Sequence, residues 1–186
     1  MNVYDFDKTI YAKDSSIDFY KYNLSQDWTI LRFAPKQLWA LLNYKLKRIP
    51  KTRMKQVFYT YFKTIPNLDE RVNAFWAAHE KNVRPFYAAQ RQPDDVIISA
   101  SPTFLLAPLM KRWGVNLIAT EVDPKTGFSG ENCWGPEKVK RFKACYPHGT
   151  IDQFYSDHLS DVHLAELAKE AFLVSDTGIV PWPFEK

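Results

Sequence analysis

Three absences bound this chain before any motif is read. Only two of its 186 residues are cysteine, and Cys133 and Cys145 fit neither a disulfide framework nor the paired spacing of a metal knuckle. Free thiols in a reducing cytoplasm are the expectation. No apolar run is long enough to cross a bilayer, and an apolar strand at the very start of the chain leads us to expect no targeting segment ahead of it. The third absence is local: no Asp or Glu occurs between Asp27 and Asp69. Internal repeats and low-complexity segments are lacking too.

The overall charge of +4 is modest but uneven. Residues 15–90 hold 13 Lys+Arg against 5 Asp+Glu, while the remainder holds 12 against 16. With 46% hydrophobic and 16% aromatic residues, the chain can build one core, or a core and a smaller lobe.

The most informative residues come first. Asp5-Phe6-Asp7-Lys8-Thr9 follows the apolar pair Val3-Tyr4, which puts two carboxylates where a strand ends and a turn begins. Open α/β sheets build their sites at that edge. Two such close acids stay ionised together only beside a cation, or one of them takes a proton. One can then attack as a nucleophile while the other moves protons, with Mg²⁺ offsetting the charge. The plain alternative is a polar turn that caps the next helix.

Short β-rich runs recur at Asp95–Ile98, Asn116–Ala119, Asp152–Tyr155 and Phe172–Val174. They predict a buried parallel sheet whose crossover helices lie over 103–112 and 159–169. Residues 15–90 read as helices throughout, broken near Pro35, Pro50, Pro66 and Pro85. Residues 123–130 read as a turn or small hairpin. The expected fold is therefore α/β: a three-layer, Rossmann-like core of residues 1–14 and 91–186, with a small helical cap of 15–90 inserted after the first strand.

More polar residues fall at strand ends. Ser99 ends the run Val96-Ile97-Ile98, and with nearby backbone N–H groups it suits a phosphate oxygen. Lys138 starts a helix and could bring a point charge to the same anion. Asp157 and Asp161 close another strand and open its helix. Each has an ordinary explanation as a cap or a solvated base. Their order and common location do not.

Taken together, Asp5-Phe6-Asp7-Lys8-Thr9, Ser99, Lys138 and Ser156-Asp157-His158-Leu159-Ser160-Asp161 resemble, in order, the four motifs of haloacid dehalogenase (HAD) superfamily phosphatases. The similarity is to the subgroup containing phosphoserine phosphatase and phosphatidylglycerophosphatase C. It implies an aspartyl-phosphate nucleophile at Asp5 and a general acid at Asp7. It implies phosphate contacts from Phe6, Thr9, Ser99 and Lys138. Mg²⁺ would be held by Asp5, Asp157 and the Asp7 carbonyl, with Asp161 supporting Lys138 or the metal. Asp14, at the base of the cap, would read a substrate ammonium group, and Arg53 is a further candidate for reading the substrate. Two departures stand out: Ser99-Ala-Ser-Pro102 lacks the glycine pair usual after the serine in phosphoserine phosphatases, and His158 replaces a small residue.

The expected function is Mg²⁺-dependent hydrolysis of a small phosphomonoester, of phosphoserine type. An alternative is a lipid-phosphate phosphatase at an anionic membrane. The segment from Trp28 to Leu68 has nine Lys+Arg and eight aromatics, and such a surface could rest on lipid or draw anionic substrates to a cleft. We expect the stretch Lys45, Lys47, Arg48, Lys51, Arg53 and Lys55 to face the cleft. A non-enzymatic basic binding module is the second alternative, but no nucleic-acid motif supports it and no nucleic-acid partner is expected. Nothing in the sequence specifies an oligomeric state.

Overall fold

The computed structural model describes residues 1–184. Six strands form one sheet: β1 (Val3–Tyr4), β2 (Val96–Pro102), β3 (Asn116–Thr120), β4 (Ile151–Ser156), β5 (Ala168–Ser175) and β6 (Gly178–Pro181), in the order β3-β2-β1-β4-β5-β6. The first five pair in parallel, and β1 sits in the middle with Val3 opposite both Val96 and Phe154. The chain winds outward from β1 on one side, then returns to begin on the other. Its topological switch therefore lies at the end of β1, where Asp5 is placed.

Alternation along the strands divides the core into two layers. Val3, Val96, Ile98 and Phe154 pack with Phe142 of helix α7 (Pro136–Cys145) and Leu164 of the short α8 (Val162–Ala165). Tyr4, Ile97 and Tyr155 point to the other face, against Leu105, Leu106 and Leu109 of α6 (Thr103–Trp113). That second layer continues without a break into the helices between β1 and β2, through Phe19, Phe62, Phe75 and Trp76.

Those helices are α1 (Ser15–Gln26), α2 (Ala34–Lys45), α3 (Lys51–Tyr59), α4 (Leu68–His79) and α5 (Pro85–Gln90). The prolines act as the sequence predicts: Pro35 and Pro85 lie in first turns, and Pro50 is the residue before α3. Asp14 caps α1, its carboxylate accepting from the Ile17 N–H at 3.0 Å. The buried Trp76 indole donates to the Leu105 carbonyl at 2.6 Å, tying α4 to α6. The predicted hairpin is present, with Val122 bridged to Ser129. Its Gly127 has φ +74°, and a Cβ there would stand 2.8 Å from the Thr60 backbone nitrogen, so this close approach to the inserted helices requires glycine.

Three expectations need correction. The sheet is mixed rather than parallel, because β6 folds back antiparallel on β5 through a turn at Asp176–Thr177. The helix expected over 159–169 shrinks to a 3₁₀ turn (Leu159–Asp161) and α8, since Ala168 already pairs with Ile151 in the sheet. Pairing along an open strand edge overrides a helical spacing of apolar residues. Ser99 does not end its strand, as β2 runs on to Pro102 with an irregular register after Ile98. Pro102 is the residue before α6, whose start at Thr103 agrees with the helix expected over 103–112. Among the described residues, no helix is long and apolar enough to cross a membrane.

Candidate active site at the carboxyl edge of the sheet

A cavity of about 540 Å³ opens over the carboxyl ends of the strands, where the inserted helices meet the sheet. Asp5 follows β1 directly, its N–H donating to the Tyr155 carbonyl at 2.8 Å. Lys138, in the first turn of α7, reaches it from below. The ammonium donates to Asp5 Oδ1 at 2.6 Å and to Asp161 Oδ2 at 2.6 Å. Only 2% of the Lys138 side chain is exposed. Burial works against its charge, but the two carboxylates outweigh burial and hold its pKa above that of a free lysine. Ser156 Oγ adds a bond to Asp161 Oδ2 at 2.8 Å. Gly135, the residue before α7, has φ +57°, a conformation that favours glycine where the chain turns into the helix that carries Lys138.

Burial raises the Asp5 carboxyl, with Lys138 opposing the rise and Asp161 and Asp7 adding to it. Thr9 Oγ1 lies 3.4 Å from Asp5 Oδ2. Phe6 turns its ring into the core, with Tyr11 and Trp76 each 5.8 Å away between centroids. It can meet a phosphate only through its main chain. Lys8 holds φ +60° with a full side chain, in a loop closed by bonds from the Lys8 N–H to the Lys13 carbonyl and from the Tyr11 N–H to the Phe6 carbonyl. A left-handed conformation is unusual for a residue with a full side chain, and it marks the tight turn that follows the two acids.

Asp7 faces the inserted helices. Its Oδ1 accepts from the Ser15 N–H at 2.6 Å, at the start of α1, and its Oδ2 accepts from Ser101 Oγ at 2.5 Å. Burial, then the nearby Asp14, push Asp7 up to about 6. Ser101 Oγ also lies 3.1 Å from the hydroxyls of both Ser15 and Ser16. Asp157 lines the cavity half-buried, and among the described residues nothing donates a hydrogen bond to its carboxylate. Burial raises its pKa, against the pull of Lys8.

The structure thus brings Asp5, Asp7, Asp14, Lys138, Asp157 and Asp161 to one cavity. Ser99 is buried beside it, accepting from the Ser101 N–H at 3.1 Å, while Ser101 itself lines the wall. Sequence reading missed Ser101, although its nearness to Ser99 in the Ser-Ala-Ser run was a signal that it belongs to the same site. The basic stretch does not face one way. Lys51 and Lys55, one helical turn apart, line the cavity, whereas Lys45, Lys47 and Arg48 are exposed away from it. Arg53 points out as well, its guanidinium 3.4 Å from the Gln56 amide oxygen. Lys55 Nζ donates to the Ala100 carbonyl at 2.7 Å and to Asn132 Oδ1 at 2.9 Å, and burial lowers its pKa to about 8. The Lys51 ammonium stands 4.5 Å from the Trp134 ring centroid.

The sequence profile of the haloacid dehalogenase-like hydrolases matches residues 3–166, the stretch that supplies every one of these side chains. The chain belongs to that family. This hydrolase is 28% identical to protein CicA of Caulobacter vibrioides strain NA1000, over 90% of this chain and 82% of that one. Its fold resembles that of a Bordetella pertussis Tohama I protein of unknown function, at TM-score 0.72 and 18% identity, over 92% of this chain and 87% of the other. A phosphoserine phosphohydrolase-like protein from Francisella tularensis SCHU S4 superposes at TM-score 0.57 and 14% identity, over 92% and 86% of the two chains.

Proposed function

We propose that this hydrolase is a phosphatase that cleaves phosphomonoesters through a phosphorylated Asp5, with residues 15–90 acting as a cap over a core of 1–14 and 91–186. One observation carries the reading: a nearly buried carboxylate, Asp5, shares a buried ammonium with Asp161 at the floor of a cavity that also holds Asp7 and Asp157. Phosphoryl transfer asks a protein chiefly for positioning and charge compensation, and this floor supplies both.

Asp5 Oδ2, the oxygen not bonded to Lys138, attacks phosphorus as the bond to the leaving oxygen breaks. Lys138 offsets the negative charge carried by the phosphoryl oxygens, and Asp161 keeps it charged and aimed. Asp7 gives its proton to the leaving oxygen, then takes one from the water that attacks the phospho-aspartate. The hydroxyl cluster of Ser15, Ser16 and Ser101 supports that exchange, since Ser101 can turn its O–H toward Ser16 when Asp7 is protonated. General acid–base assistance of this kind is worth roughly 10²–10⁴-fold.

Among the described residues no three His, Cys, Asp or Glu side chains converge as a cation cage. Magnesium does not need one, because it binds through one or two carboxylates and keeps several waters. Asp157, half-buried with no hydrogen-bond donor, fits that requirement together with Asp5 and the Asp7 carbonyl. When bound, the cation would neutralise charge between nucleophile and phosphate.

The cavity wall above the acids speaks to the leaving group. It carries Asp14, Lys51 and Lys55, but also Ile17, Leu38, Leu41, Met54 and Phe58. Asp14 would read a substrate ammonium, as in a phospho-amino acid. The apolar side chains favour a second reading, a phosphate ester with a hydrocarbon part. Mg²⁺-dependent release of phosphate from an aryl ester, lost in Asp5→Asn, tests the class. A screen of phospho-amino acids against lysophosphatidyl and phosphatidylglycerol phosphates then separates the two substrates. No hydrolysis of any phosphomonoester by the folded protein would overturn the reading.

A further inference from the structure

Helix α2 is built inside out. Of its twelve residues only Ala40 is fully buried, although the helix carries four large apolar side chains besides Tyr44. Leu38 and Trp39 are 67% and 58% exposed, and Leu41 and Leu42 are exposed beside them. Trp28 and Leu31 before the helix and Leu46 after it are exposed as well. Seven of the fifteen large apolar residues exposed among the described residues therefore fall between Trp28 and Leu46. Scattered surface leucines need no explanation, but a contiguous stripe at helical spacing does.

Its border is charged with one sign. Arg32, Lys36, Lys45, Lys47 and Arg48 are all exposed around the stripe, and no acid lies anywhere from Trp28 to Leu68. A second copy seated on this face would bring bases against bases with nothing to neutralise them. An outward apolar stripe with tryptophan, edged by lysine and arginine, has instead the makeup of a helix that lies in a lipid interface.

We infer that α2 and its flanking turns are a docking face for an anionic phospholipid surface, with the leucines and Trp39 at headgroup depth and the bases on lipid phosphates. Leu38 and Leu41 belong both to this face and to the cavity wall, so docking places the cavity mouth at the bilayer. The inference goes beyond the phosphatase reading and does not require it.

The test is cosedimentation of the full chain with vesicles of equal parts phosphatidylglycerol and phosphatidylcholine, beside vesicles of phosphatidylcholine alone. Binding is expected to the first at low salt, and to be at least about tenfold weaker to the second or in about 0.5 M salt. The double variant Trp39→Glu/Leu42→Glu should lower anionic-vesicle binding at least about tenfold while leaving the circular dichroism spectrum unchanged. Charge reversal at Lys36, Lys45 and Arg48 should do the same without touching the stripe. Failure to bind anionic vesicles at low salt would overturn the proposal. So would binding that survives both variants, or a wild-type dimer that the double variant dissociates. Vesicle binding without any phosphate hydrolysis would support the docking face and remove only the phosphatase reading.

Discussion

The floor of the cavity and the outer face of α2 depart from the usual arrangement of a soluble protein in opposite senses. At the floor, Asp5, Lys138 and Asp161 are charged and nearly buried. On α2, Leu38, Trp39 and Leu42 are apolar and bare. The floor is held by specific pairing, in which each charge has a partner at 2.6 Å, so that burial strengthens every bond it does not break. The face of α2 has no partner among the described residues, and its helix is retained by Ala40 and by side chains such as Gln37, whose amide donates to the Phe58 carbonyl at 3.0 Å. Removing a side chain should therefore be costly in one region and nearly free in the other. On the readings proposed above, that contrast would separate residues required by the fold and chemistry from residues kept for an encounter.

The strongest way to break the comparison is Asp5→Asn, which should reduce phosphate release from an aryl ester to background while the protein stays folded. Near-normal turnover would remove the nucleophile. Asp7→Asn comes next, with kcat on alkyl phosphates falling roughly 10²–10⁴-fold and less on an aryl ester, whose oxygen leaves without a proton. Equal losses on both esters would argue against Asp7 as the acid.

Stability sharpens the contrast further. Lys138→Met leaves Asp5 and Asp161 buried without their cation, a change that costs about 3–5 kcal/mol. The loss, read by urea unfolding, should shrink on acidification as Asp5, whose pKa burial already raises, takes up a proton. Asp95 provides a smaller test at the opposite end of β2. It is fully buried, accepts from the Gln92 N–H at 2.9 Å and has no ion-pair partner among the described residues. Burial raises its pKa from 3.8 to about 6. Folding thus favours the protonated form, and the contribution of Asp95 to stability is full below about pH 4 and lost as pH rises through about 6. Asp95→Asn should be more stable than wild type above that window, by about 1–3 kcal/mol, with the gap closing at pH 4. The smallest effect belongs to α2: Trp39→Ser with Leu42→Ser should shift unfolding by no more than about 0.5 kcal/mol. A large loss there would mean that the stripe serves the fold.

Local signals made much of this legible. Asp5, Asp157 and Lys138 each stand within a few residues of a strand end or helix start, and short β-rich runs mark those boundaries without help from the rest of the chain. The prolines placed the breaks of the inserted helices for the same reason. Where reading failed, the missing information lay in another part of the molecule. Nothing in Ala168–Ser175 announces that the free edge of β4 will claim it early and shorten the helix before it. Nothing in Gly178–Pro181 announces an antiparallel return. Ser99 and Ser101 stand two residues apart in β2, where its register is irregular, so choosing between them required seeing Asp7 opposite Ser101.

The sequence by itself determined the class of fold, the family and the order of the acidic and basic positions along the sheet edge, because these depend on periodicity and on residues a few positions apart. Tertiary structure alone decided which charges meet. Lys51 and Lys55 turn to the cavity while Arg53 turns to solvent, and α2 exposes the leucines that its neighbours leave uncovered. A helix specifies the angles between its side chains but not the rotation at which it docks; that is set by the packing of the helices around it.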